Sequence, residues 1–138
     1  MKILIVSQYF WPENFRINQL AHELNKKGHN VLVYTGLPNY PEGKIYKSYK
    51  KNKSFYKFFG NIKVIRIPVI PRGNNFLMLF INYLSFVICG IILAPIKLRN
   101  EKFDVIFTFQ TSPVFVGFVS AFIKWIKKVP NIMWVLDL

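Results

Sequence analysis

The first 46 residues constrain the fold of this chain more than any other stretch, because their hydrophobic period changes twice and each change ends in a polar loop. Residues 3–6 (ILIV) form a short apolar run of the kind a strand buried on both faces shows. After a loop at 8–14, Ile17, Leu20, Ala21 and Leu24 recur at i, i+3, i+4 and i+7, which is one face of a helix. Asn14 is placed to accept a hydrogen bond from the first free helix amides, and Gly28 to supply the left-handed residue that ends the helix. Residues 31–34 return to a strand. Such a βαβ start predicts an α/β fold with a Rossmann-like, doubly wound, mostly parallel sheet, whose ligands sit outside the carboxyl ends of the strands. Function is therefore to be sought in the loops at 8–16 and 36–46.

The rest of the chain continues the pattern. IKVIRI at 62–67 reads as a third strand, closed by Pro68 and Pro71. Residues 103–108 (FDVIFT) and 131–136 (NIMWVL) read as strands four and five, around a helix near 113–127. Between them, residues 76–96 carry no charge, a length that spans a bilayer, for which about 20 apolar residues suffice. A true span would put strands one to three and strands four and five on opposite sides of the membrane, and one sheet could not form. A crossover helix that packs on the sheet and turns its outer face to lipid satisfies both constraints, with a wholly buried and a spanning helix as the alternatives. At 138 residues one domain is expected. The sequence stops directly after strand five, where a sixth strand and closing helices normally follow, so the domain is expected to be incomplete at its carboxyl end.

Charge narrows the partners. The net charge of +13 is uneven: residues 37–75 hold nine Lys and Arg against one acid. Such a patch attracts nucleic acid, an anionic membrane surface or phosphorylated ligands, unless it is only a solvated lysine-rich surface. Between Gly43 and Gly60, Lys is interleaved with Tyr and Phe (KIYKSYKKNKSFYKFF), which suits base stacking or a lipid headgroup layer. The uncharged run that follows favours the membrane. Cys89, the one cysteine, lies in that run and is expected to be a buried inert thiol. The apolar run before Gln8 is too short for a signal-peptide core, which points to the cytoplasm.

Several side chains are candidates for chemistry, each with a plainer alternative. Asp137 stands at the carboxyl end of a strand, placed to take a proton from an acceptor hydroxyl or to cap a following helix. Glu13, Asn14 and Arg16 lie in the first βα loop, where Arg16 either holds a phosphate or pairs with Glu13 on the surface. Gln110, Thr111 and Ser112 suit sugar or phosphate contacts, or capping ahead of Pro113. Asn39 and Tyr40 offer an amide and an aromatic face for a sugar, in a segment that is also a turn signal. His22 and His29 have no metal-ligand companion and read as structural. No GxGxxG, GK[ST], CxxC, HExxH or nucleophile elbow is present, which weakens a dinucleotide-binding reading and removes the usual NTPase.

QYFWPENFRINQLAHELNKKGHNVLVYTGLPNYPEGKIY, together with FTFQTSPVFVGFVSAFIKW and PNIMWVLDL, resembles the bacterial family-4 GT-B glycosyltransferases. The nearest branch is the WbuB-like one, which is associated with L-fucosamine transfer. The resemblance covers nearly the whole chain but only the amino-terminal, acceptor-side half of such an enzyme. It implies a retaining transfer from a nucleotide-sugar to a polyprenyl-phosphate-linked or polysaccharide acceptor in capsule or O-antigen assembly, at the inner face of the plasma membrane. It implies no cofactor and no metal, and it puts the paired glutamates and most of the donor site in the other half. That half is either missing or a separate carboxyl-terminal subunit, so this chain alone is expected to be inactive. Many relatives have a glycine-rich first loop. Here Pro12-Glu13-Asn14-Phe15-Arg16 stands instead, with Arg16 as a side-chain substitute for backbone contact with the donor phosphate. Two other classes stay open: a non-catalytic membrane-recruiting subunit of a split transferase, and a basic nucleic-acid-binding module.

Overall fold

The apolar run at the amino terminus is the centre of the sheet. In the computed structural model, which describes residues 1–111 and 114–136, β1 (Lys2–Ser7) pairs in parallel with β2 (Asn30–Gly36) and with β5 (Val105–Gln110). Outside β2 lies β4 (Ile62–Ile67), and outside β5 lies β6 (Asn131–Val135), both parallel. A two-residue strand, β3 (Phe58–Phe59), closes the far edge antiparallel to β4. The order is β3-β4-β2-β1-β5-β6, so the winding reverses at β1. An α/β fold with a mostly parallel six-stranded sheet follows, consistent with a Rossmann-like architecture, and its switch point lies between the ends of β1 and β5.

Helices on both faces explain why the strands are apolar throughout. Ile3, Ile5, Val31 and Val33 face α1 (Arg16–Lys26), whose Ile17 and Ala21 are fully buried. Leu4, Val6, Leu32 and Tyr34 face the layer of α3 (Phe76–Lys97) and α4 (Phe115–Lys127). Gly28 does end the first helical segment, at a φ of 90°. Asn14 does not cap it. The capping position is the extended Phe15, with no side-chain cap bond, and Asn14 is exposed. Asn18 takes over the local polar groups: its Oδ1 accepts from the Trp11 N–H at 2.9 Å, and its Nδ2 donates to the Glu13 carbonyl at 2.6 Å.

The uncharged run is α3, capped by Asn75, whose Oδ1 accepts from the Met78 N–H at 2.7 Å. It is long and apolar enough to cross a membrane, yet it joins β4 to β5 of one sheet. Asn82, Ser85, Phe86, Gly90 and Ala94 are buried on the sheet side. Phe76, Leu77, Phe80, Leu84, Ile88, Ile92 and Ile96 are exposed, so the helix is not wholly buried. Cys89 is half-buried rather than enclosed. Two details depart from the sequence reading. The fourth long strand runs on to Gln110, and the 43–60 stretch contains α2 (Lys47–Lys51), a 3₁₀ turn at Phe55–Lys57 and β3. Trp11 holds that stretch, with its ring 5.7 Å from Phe55, 5.0 Å from Tyr56 and 5.4 Å from Phe59.

Candidate functional site

At the carboxyl edge of the sheet the β1–α1 and β2–α2 loops are stitched together by one carboxylate. Glu13 is 1% exposed. Its Oε1 accepts from the backbone N–H groups of Asn39 (2.7 Å) and Tyr40 (2.8 Å), and its Oε2 from that of Phe10 (3.2 Å). Burial pushes the Glu13 carboxyl up to about 7, opposed by these three N–H donors and by the field of Arg66. The surface pair of Glu13 with Arg16 does not form. Glu13 points inward, and Arg16 is exposed with no hydrogen-bond or ion-pair partner among the described residues.

Arg66 is the counter-charge. On β4 it follows Ile62 and Val64 on the face turned to α1, and its guanidinium donates to the carbonyls of Trp11, Gly36 (3.3 Å) and Tyr56 (3.4 Å). It also lies 5.7 Å from the centroid of the Tyr49 ring. Burial pulls the guanidinium down to about 10, with Glu13 opposing, so it stays charged at neutral pH. One half-buried cation thus ties both loops to the third parallel strand.

Asn39 is buried as well. Its Nδ2 donates to the Leu37 carbonyl at 2.9 Å and its Oδ1 accepts from the Arg72 N–H at 3.1 Å. Tyr40 packs on Phe15 (4.9 Å between centroids) and on Tyr9 (5.4 Å), with Tyr9 stacked on Phe15 at 5.2 Å. The Arg72 guanidinium sits 4.8 Å above the Tyr40 ring and has no hydrogen-bond or ion-pair partner among the described residues. Beneath, Asn82 of α3 accepts from Gln8 Nε2 (2.8 Å) and from the Tyr9 hydroxyl (3.1 Å), and donates to the Ile70 carbonyl (2.6 Å). Burial raises the hydroxyl of Tyr9 above the ordinary tyrosine value, and that of Tyr83 likewise, with Arg72 opposing both. The half-buried rings of Tyr40 and Phe15 thus lie beside a guanidinium that no carboxylate pairs among the described residues.

Of the residues singled out in the sequence, Glu13, Asn39 and Tyr40 come together here. Gln110 is buried at the end of β5, where its Oε1 accepts from the Gly117 N–H at 3.2 Å, and Thr111 follows it, half-buried. Asn14 and Arg16 stand outside the cluster, exposed. Ser112 and Asp137 lie outside the described residues. His22 is exposed, and His29 Nδ1 is 3.4 Å from the terminal amine of Met1. Among the described residues no group of three or more His, Cys, Asp or Glu is placed to hold a metal ion.

Arg66, Arg72, Asn82 and Tyr9 are not among the site candidates that the sequence offers. Two of them left a signal. Arg66 breaks the every-second-residue apolar face of IKVIRI, and Asn82 is an amide inside the uncharged run. Arg72 reads as an ordinary flanking charge until the fold sets it over Tyr40.

No protein-family model matches the chain, and no curated protein matches it. Among solved structures, the chain is similar to the C-terminal domain of a hydrogenase from Pyrococcus furiosus, with 17% identity over 96% of this chain and 90% of that one, at a TM-score of 0.55. At that identity the likeness concerns the α/β fold alone.

Proposed function

We propose that the chain is the acceptor-side, amino-terminal half of a retaining GT-B sugar transferase in bacterial surface polysaccharide assembly, working at the inner face of the plasma membrane. The observation that carries this is the joining of its two signature segments. PENFRIN and LPNYPEGKI are well apart in sequence, and Glu13 of the first accepts hydrogen bonds from Asn39 and Tyr40 of the second. The joined loops lie at the carboxyl edge of a parallel sheet, where α/β folds take their ligands. Tyr40 and Phe15, both half-buried, offer ring surface to a sugar, and Arg72 supplies a charge for the phosphate of a polyprenyl-linked acceptor. The exposed stripe of α3 supports docking on the membrane that carries such an acceptor.

Binding and turnover test the two parts of this reading. A fluorescent polyprenyl-diphosphate-linked hexosamine in detergent micelles should bind the 138-residue chain saturably, about tenfold more weakly after Arg72→Ala, as for loss of a charge-assisted hydrogen bond. Incubated with a UDP-hexosamine, the chain alone should transfer nothing, because a GT-B site lies between two domains. Sugar transfer by the chain alone, or acceptor binding indifferent to Arg72→Ala, counts against the proposal.

A further inference from the structure

β3 pairs with β4 only at Phe58↔Lys63 and Phe59↔Ile62, so the outer edge of β4 beyond Lys63 has no strand beside it. The α2 and 3₁₀ segments curl over that edge instead, leaving a cavity of about 430 Å³. Lys53, Lys57, Lys63, Arg66 and Lys97 line it with Tyr49, and no lining residue is acidic. Glu101, from outside the lining, neutralises Lys63 alone. The Arg66 donors all go to carbonyls, which carry no formal charge. Lys53, Lys57 and Lys97 are exposed, and their side chains have no hydrogen-bond or ion-pair partner among the described residues. A concave site with converging cations and no carboxylate has the potential that clustered phosphate oxygens need.

The position of the cavity selects the source of the phosphate. Lys97 is the last residue of α3 and directly follows Ile96, which is 69% exposed, with Ile92 one turn earlier at 63%. The cationic cavity is therefore at one end of the exposed apolar stripe. With that stripe at the level of the acyl chains, the cavity is at the level of the headgroups. Nucleic acid finds less here, because the rings that would stack on bases are already engaged. Tyr49 lies under Arg66, and Tyr56 lies against Trp11. We propose that this cavity seats the phosphate headgroup of an anionic membrane lipid while the outer stripe of α3 lies in the acyl layer. The inference deepens the membrane part of the proposed function and rests on it.

Co-sedimentation of the 138-residue chain with vesicles tests it. Vesicles of phosphatidylcholine with about 30% phosphatidylglycerol should bind the chain, and pure phosphatidylcholine should bind it far less. Lys53→Glu/Lys57→Glu should weaken partition by about tenfold or more, since each basic group near an anionic surface contributes measurably. Lys26→Glu/Lys27→Glu makes the same change of charge at the end of α1, outside the cavity lining and on the face of the sheet opposite α3, and should stay within about twofold of the wild type. Equal losses in the two variants overturn the headgroup site and leave membrane docking standing. Wild-type chain that sediments with neither vesicle overturns both. Binding of inorganic pyrophosphate or of single-stranded RNA that is lost in Lys53→Glu/Lys57→Glu, with vesicle binding untouched, also overturns it and reassigns the cavity to that ligand.

Discussion

Glu13 shows how a single side chain changes meaning once its surroundings are known. In the sequence it is an acid in a polar loop, suited to a substrate hydroxyl or to a surface partner. In the structure its oxygens are taken by three backbone N–H groups, and the nearer meaning is a clamp between loops. The clamp has a pH signature. The folded value of about 7 lies above the ordinary 4.5, so the folded state holds the proton more tightly, and stability falls as pH rises from about 4.5 through about 7. The difference corresponds to about 3 kcal/mol across that window. Glu13→Gln keeps an acceptor for Asn39 and Tyr40 and carries no charge. Denaturant melts of this variant should lose that decline, and parallel pH profiles for the two proteins would show that the carboxyl does not titrate as a buried group. Asn82→Leu leaves Gln8 Nε2 and the Tyr9 hydroxyl without their shared acceptor inside the protein, a cost of about 1–3 kcal/mol in the same measurement. A variant as stable as the wild type would mean that water replaces the amide.

The elements divide by how local their causes are. β1, β2, β4 and β5 were legible because strands covered on both faces must be apolar, and α1 because its buried stripe repeats every turn. α2, the 3₁₀ turn and β3 were not. KIYKSYKKNKSFYKFF has no dominant period, and these short pieces form around contacts from elsewhere, namely the Trp11 ring and the outer edge of β4. The connector from β4 to α3 is held as tightly as a regular element. Gly73 has a φ of 59°, and a Cβ there would stand 2.6 Å from the Met78 Cβ. Gly73→Ala should therefore destabilise by more than about 1 kcal/mol, read as a lower midpoint in thermal melts. An unchanged midpoint would show that the connector relaxes freely away from α3.

For the whole molecule, the notable asymmetry is between the two faces of the sheet. α1 covers one face with an ordinary polar exterior, whereas α3 turns an apolar exterior outward next to a basic edge. Ile88→Asn/Ile92→Asn changes two exposed side chains, so stability should stay within about 0.5 kcal/mol for each substitution. Partition onto vesicles should fall severalfold, as lost apolar insertion requires. Unchanged partition would remove α3 from the docking surface and leave the basic residues to carry any binding. The charge excess of the middle third was visible in the sequence. That part of it converges on one cavity beside Lys97 was not, since Lys97 is far from Lys53 along the chain.

The sequence by itself determined the order of the long strands and helices and the presence of α3. These follow from hydrophobic period and chain connectivity, which act over a few residues or restrict topology generally. The tertiary structure decided which side chains meet. Glu13 bonds to amides 26 and 27 positions away, Arg66 reaches the carbonyls of two loops, and Arg72 stands over Tyr40. Such encounters depend on how the helices seat on the sheet and on which polar groups burial leaves in need of partners. Neither is written in the spacing of residues along the chain.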